Sequence, residues 1–252
     1  MIVKDKVAIV TGGASGLGEA CVRNFAKDGA KVAIFDIQDE KAVKLVEELG
    51  AKVIFAHVDV TSEASVVAGI EKTVDSFGAI HIAVNCAGTG APIKVLGKKG
   101  PHPLDAFSRV VQLNLIGTFN VIRLAVEQMV KNTEDEKGVI INTASVAAFD
   151  GQIGQASYSA SKAAVCGMTL PIARECAAYG IRVMTIAPGI FETPLLMGLP
   201  DKVLDSLGKM VPYPNRLGQP EEFALLSRQI VENQYLNGEV IRLDGAIRMA
   251  AK

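Results

Sequence analysis

The segment Val7-Ala8-Ile9-Val10-Thr11-Gly12-Gly13-Ala14-Ser15-Gly16-Leu17-Gly18 decides the fold. The apolar run Val7–Val10 reads as a buried strand, and Leu17–Lys27 reads as a helix. Between them the glycines are spaced Gly-x-x-x-Gly-x-Gly rather than the commoner Gly-x-Gly-x-x-Gly. Glycine tolerates a tight turn and lets backbone N–H groups approach a pyrophosphate at a helix N-terminus, where the dipole favours negative charge. A glycine-rich stretch by itself also reads as a flexible turn. The strand before it and the helix after it make it a dinucleotide turn.

The same rhythm continues outward. Lys31–Phe35, Val53–Val58, Ile80–Asn85, Gly138–Asn142, Arg182–Ala187 and Glu239–Arg242 read as further strands. Glu40–Leu49, Ala64–Ser76, Ala106–Lys131, Ser157–Tyr179 and Pro220–Val231 read as helices. Valine and isoleucine runs without strict alternation imply strands buried on both faces, hence a parallel sheet. The expected fold is α/β: a single Rossmann-type, doubly wound domain over residues 1–252, with a seven-stranded parallel sheet flanked by helices. Two stretches, Gly90–Pro103 and the proline-rich Gly189–Asn215, read as loops after strand ends, where ligands bind in such sheets.

Composition narrows the function classes. Lys+Arg 26 against Asp+Glu 27 argues against nonspecific binding to nucleic acid or acidic lipid. No apolar run of about 20 residues suggests a bilayer span, and the N-terminus runs directly into a strand. The four cysteines, Cys21, Cys86, Cys166 and Cys176, form no Cys-x-x-Cys pair and no metal-spaced cluster. They read as buried small apolar residues in a reducing compartment, and the expected location is cytoplasmic.

Asp36 ends the second strand, where a carboxylate accepts hydrogen bonds from an adenosine ribose and repels a 2′-phosphate. Neither Ala14, Ile37 nor Gln38 supplies a cation for such a phosphate, so the expected cofactor is NAD. The alternative is that Asp36 only caps a turn. Asp59 reads either as an adenine contact or as a cap or turn former for the next helix.

Tyr158 and Lys162 stand four apart in a helical stretch and share a face. A nearby ammonium stabilises a phenolate, so the pair can exchange a proton with a carbinol while hydride moves. Ser145, just past a strand, can hold the substrate oxygen beside the phenol. Asn114 sits in a long helix that it does not favour. The spacing Tyr-x-x-x-Lys alone also fits an ordinary exposed helix face.

Taken together, Thr11–Gly18, Asp36, Asp59, Asn85-Cys86-Ala87-Gly88, Asn114, Ser145, Tyr158-x-x-x-Lys162 and Pro188-Gly189 resemble the short-chain dehydrogenase/reductase family over nearly the whole chain. The resemblance implies a catalytic tetrad. Tyr158 would be acid/base, and Ser145 would orient the carbonyl. Lys162 would lower the tyrosine pKa and bind nicotinamide ribose, and Asn114 would hold a relay water. It implies cofactor contacts from Gly12, Ser15, Gly16, Leu17, Gly18, Asp36, Asp59, Val60, Asn85, Ala87, Gly88, Tyr158, Lys162, Pro188, Gly189 and Thr193. Cys86 replaces the second Asn of the more usual Asn-Asn-Ala-Gly.

Within that family, Asn142–Gln152, Arg182–Gly189 and Asn237–Met249 are similar to the branch that acts on 3-hydroxyacyl-CoA. This likeness implies NAD-dependent interconversion of a short or branched (3S)-3-hydroxyacyl-CoA and its 3-ketoacyl-CoA, of the fatty-acid or isoleucine degradation type. The substrate contacts would be Ser145, Gln152, Tyr158 and Leu196. Gln152 would bond the thioester oxygen or else be a solvated loop residue. Leu195, Leu196, Met197 and Leu199 would form an apolar lid or simply pack a short helix. Lys98 and Lys99 would meet CoA phosphates or stay solvated. His57 reads as structural, and His102 receives no role. The family also implies a homotetramer, with Ala160, Ala163, Ala164 and Gly167 at an interface or packed inside one subunit. Two other functions fit the motifs: oxidation of hydroxysteroids or other secondary alcohols, and non-catalytic NAD sensing.

Overall fold

A computed structural model describes all residues except Ala91, Leu199 and Lys252. The main sheet contains β1 (Val7–Thr11), β2 (Lys31–Asp36), β3 (Val53–His57), β4 (Ile82–Asn85), β5 (Gly138–Thr143), β6 (Ile181–Pro188) and β7 (Val240–Leu243). Its strand order is β3-β2-β1-β4-β5-β6-β7, and every pairing is parallel. The expected seven-stranded parallel sheet is therefore present. The order reverses between β1 and β4, so a crevice opens at their carboxyl ends.

Alternate residues of each strand point to opposite faces, and both faces are dry. Val10, Ile34, Val84, Ile141 and Met184 pack on one side with Val22, Phe25, Leu45 and Phe223. Those side chains belong to α1 (Gly16–Lys27), α2 (Asp39–Leu49) and α9 (Pro220–Glu232). Ile9, Phe35, Ala83, Ile140 and Val183 pack on the other side. There they meet α3 (Glu63–Phe77), α5 (Thr118–Met129) and α6 (Ala156–Ala177) through Ile70, Ile122, Met129 and Ala173. Burial on both faces explains why the strands lack a two-residue polar alternation.

The stretch expected as one helix, Ala106–Lys131, is three joined pieces. They are α4 (Leu104–Val111), a π-helical turn Gln112–Gly117, and α5. As a continuous helix, Leu104–Met129 is long and apolar enough to cross a membrane, which corrects the expectation that no such run exists. Here it packs on the sheet, with Val121, Ile122, Ala125 and Met129 buried. The two stretches read as loops also carry structure. Leu96–Gly97 pairs with Gly100–Pro101 in a short hairpin. Residues 189–215 contain α7 (Pro194–Met197) and α8 (Asp201–Lys209). Prolines suggested loops there, but Pro194 opens α7 at a position where proline fits a helix.

Candidate active site

A cleft of about 790 Å³ runs along the carboxyl edge of the sheet from Asp36 to Met249. Its floor is the glycine turn. Gly12 has φ +62°, and a Cβ there would come 2.9 Å from the Ala87 nitrogen, so only glycine lets β1 and β4 converge. A Cβ on Gly18 would lie 2.2 Å from the Gly12 carbonyl oxygen, so the helix can start this close to the turn only with glycine there. Thr11 ties the two strand ends together: its hydroxyl accepts the Cys86 and Ala87 N–H groups, each at 3.1 Å. Ser15 precedes α1 in extended conformation, and its side chain makes no cap bond. The first-turn N–H groups of α1 therefore face the cleft beside Ser15.

Asp36 is buried at the end of β2. It accepts the Ala14 N–H at 3.0 Å on one oxygen, and the Gln38 backbone and side-chain N–H groups at 3.0 and 3.3 Å on the other. It is therefore both a turn former and a cleft wall. Asp59 also lines the cleft and forms a turn, accepting the Thr61 N–H at 2.9 Å and its hydroxyl at 2.7 Å. The cap of α3 is Ser62 instead.

Of the expected cofactor contacts, Gly12, Ser15, Gly16, Leu17, Gly18, Asp36, Asp59, Val60, Ala87, Gly88, Tyr158, Lys162, Pro188, Gly189 and Thr193 all line the cleft. Asn85 does not. Its side chain is buried under the wall and donates to Asn142 Oδ1 at 2.9 Å across the β4–β5 register. It holds the strand ends together.

The catalytic groups meet where β5 ends and α6 begins. Ser145 accepts the Ala147 N–H at 3.1 Å, starting a short 3₁₀ turn. That bond uses an acceptor lone pair and leaves the hydroxyl proton free for another oxygen. Burial raises the Tyr158 pKa above its usual 10, and Ser145 opposes the rise only in part.

Lys162 behaves differently from expectation. Its ammonium donates to the Thr143 carbonyl at 2.7 Å and lies 5.9 Å from the tyrosine ring centre. Burial pushes its own pKa down to about 8. In this geometry burial governs the phenol, and Lys162 does not draw its pKa below the usual value.

Asn114 lies in the π-helical turn and is fully buried. It accepts the Thr89 N–H at 2.8 Å and donates to the Thr89 carbonyl at 2.9 Å and Ser161 Oγ at 3.0 Å. Both amide protons are thus used, and the side chain is not on the cleft wall. It pins the loop after β4 to α6. Gly88 sits between: a Cβ there would be 3.1 Å from Asn114 Oδ1 and 3.4 Å from Lys162 Nζ.

On the substrate side, Ser145, Tyr158, Gln152 and Leu196 line the cleft. Gln152 donates one of its two amide N–H groups to the Ala250 carbonyl at 3.1 Å. Met197 points outward, half exposed. The Leu195 side chain and Leu199 lie outside the described residues. Lys98 and Lys99 are exposed at the tip of the short hairpin and do not line the cleft. His57 pairs with Asp39 at the surface at 2.7 Å, and His102 stacks edge-on against Phe107.

All four cysteines are free, and no metal-binding cluster occurs among the described residues. The neighbouring Cys21 thiol lowers the Cys86 pKa, while burial raises that of Cys21. Sequence reasoning did not single out Thr89, Gln155 or Met249, which also line the cleft and carry no local motif of their own.

The model of the short chain dehydrogenase family matches residues 6–203. The chain is 54% identical to 3-hydroxyacyl-CoA dehydrogenase type-2 of Drosophila melanogaster, over 98% of this chain and 99% of that protein. To the Homo sapiens protein of the same name it is 53% identical, over 98% of this chain and 97% of that one. A crystal structure of 3-hydroxyacyl-CoA dehydrogenase type-2 from Mycobacterium avium superposes with a TM-score of 0.93 at 40% identity, covering 99% of each chain.

A buried lysine whose pKa falls from 10.5 to about 8 opposes folding wherever the lysine is charged in the folded chain. The cost is full below pH 8 and fades as pH rises toward 10.5. Lys162→Met is expected to raise stability at pH 7 by about 1–3 kcal/mol. Paired urea titrations at pH 7 and pH 10 check this: the gain over wild type shrinks at pH 10. A variant less stable than wild type at pH 7 refutes it.

Proposed function

The chain belongs to the short chain dehydrogenase family, and from that premise we propose that this enzyme uses NAD to interconvert a (3S)-3-hydroxyacyl-CoA and the corresponding 3-ketoacyl-CoA. The substrate is of short or branched chain. The observation that carries the reading is one cleft that joins a glycine cradle to Tyr158, Ser145 and Lys162. The names of the full-length relatives supply the substrate class.

The residues present fit a dinucleotide. Gly12 and Gly18 occupy positions that any Cβ would fill, and α1 aims its first turn at the cleft. When bound, NAD supplies the hydride donor or acceptor. Three donors fix the Asp36 carboxylate, so it cannot swing away from a 2′-phosphate. Lys162 is the one Lys or Arg among the described residues lining the cleft, and it sits at the far, catalytic end. Both facts favour NAD over NADP.

Ser145 directs its free proton at the substrate oxygen, which lies beside the Tyr158 hydroxyl. At neutral pH the phenol carries its proton, the state needed to protonate an alkoxide when a ketone is reduced. In the oxidative direction the phenolate must form first, and rising pH favours it. Lys162 keeps two N–H donors beyond the one given to Thr143 for the nicotinamide ribose hydroxyls.

The same reading extends to a homotetramer. Ala160, Ala163 and Gly167 of α6 face outward, and Ile116, Phe119 and Leu170 expose apolar area on neighbouring turns. This support favours contact between copies over packing inside one subunit.

Purified protein with NADH is expected to reduce acetoacetyl-CoA, with kcat lowered about 10²- to 10⁴-fold in Tyr158→Phe. Equal rates for wild type and variant would sink the proposal. Asp36→Ala is expected to raise kcat/KM for NADPH relative to NADH by roughly 10- to 100-fold, since a like-charge clash is removed. Unchanged selectivity would take Asp36 out of the argument. Phe119→Asp is expected to shift sedimentation velocity from a tetramer toward smaller species, and a wild-type protein that sediments as a monomer would contradict the assembly.

A further inference from the structure

The C-terminal segment is tied to the loop after the 3₁₀ turn, rung by rung. Asp150 accepts the Arg242 guanidinium at 2.6 Å. Gln152 donates to the Ala250 carbonyl at 3.1 Å, and the Ile153 N–H donates to the Ala251 carbonyl at 3.0 Å. Arg242 comes from the last strand of the sheet. It also bonds Asp244 at 2.7 Å and the Ile247 carbonyl at 3.0 Å, and its guanidinium lies 5.2 Å from the Phe149 ring centre. Residues 149–153 and 247–251 are therefore held as one unit by the edge of the sheet.

One side chain of that tail reaches the cleft. Met249 is partly buried and lines it, together with Leu196 of α7 and Leu207 of α8. These three are apolar. Gln152, the nearby polar side chain expected to meet the thioester, gives one amide N–H to the tail and so helps to seat Met249, while its second N–H stays available.

We propose that Met249 forms the wall against which the acyl chain ends, and that the rungs from Asp150, Gln152 and Ile153 set the depth of that wall. This rests on the acyl-CoA reading above. A methionine suits the position because its unbranched thioether fills irregular apolar space. Shortening it opens room for more methylenes; a rigid aromatic closes the room. Discrimination in such a pocket amounts to about tenfold per methylene.

The test is kcat/KM with NADH for 3-ketoacyl-CoA thioesters of four, six and eight carbons. Met249→Ala is expected to raise the eight-to-four-carbon ratio by about tenfold. Met249→Phe is expected to lower it by about as much, and Met249→Leu to keep it near wild type. Asp150→Asn, which weakens the first rung, is expected to flatten the chain-length profile through KM rather than kcat. The same ratio in wild type, Met249→Ala and Met249→Phe, with the four-carbon substrate still turned over, overturns the inference alone. No turnover of any thioester by wild type overturns the functional reading, and this one with it.

Discussion

The active end of this molecule is organised around a lysine cation buried without a carboxylate partner. Lys162 is 5% exposed, and its hydrogen-bond acceptor is the Thr143 carbonyl at 2.7 Å. Taking an ammonium out of water is costly unless dipoles replace the lost hydration. Much of the surrounding construction serves that need. β5 ends where its last carbonyl meets Nζ. Gly88 has no side chain that would press on Nζ, and Asn114 brings a carbonyl oxygen to the far side of the same glycine. The π-helical turn makes this possible, since the widened turn carries Asn114 to the loop after β4 inside an otherwise regular helix.

The lysine and the tyrosine are pushed in opposite directions by the same burial. A phenol above 10 and an ammonium near 8 reverse the order of two groups that titrate almost together in water. Both neutral forms are then favoured over the ion pair in the dry cleft, and in this geometry Lys162 does not bring the phenol below its usual range.

The parts of this architecture that the sequence disclosed are those with a period or a conformational rule. Continuous Val and Ile runs marked strands buried on both faces, and the glycines marked a turn that no Cβ can enter. The hidden parts depend on partners far along the chain. Asn85 looks the same whether it meets a cofactor or Asn142, and only the β4–β5 register decides that. Gln152 also meets the Ala250 carbonyl, which nothing local in the sequence announces. The π-helical turn has the same apolar content as the helices on either side, so hydrophobic periodicity could not separate them.

The two ends of the cleft are held by different kinds of bond, which divides their labour. The nucleotide end is made of strand termini and glycine backbone, with Thr11 and Asp36 bonded to main-chain N–H groups. A side-chain substitution there meets backbone, which has little room to move. The acyl end is made of side chains tying a chain terminus to a loop, through Arg242, Asp150 and Gln152. Changes there alter a wall without disturbing the sheet. Loops and termini positioned by a rigid scaffold are where such variation is tolerated. The chemistry of hydride transfer is thus fixed by the sheet, while the length of the substrate is left to a tail that can change independently.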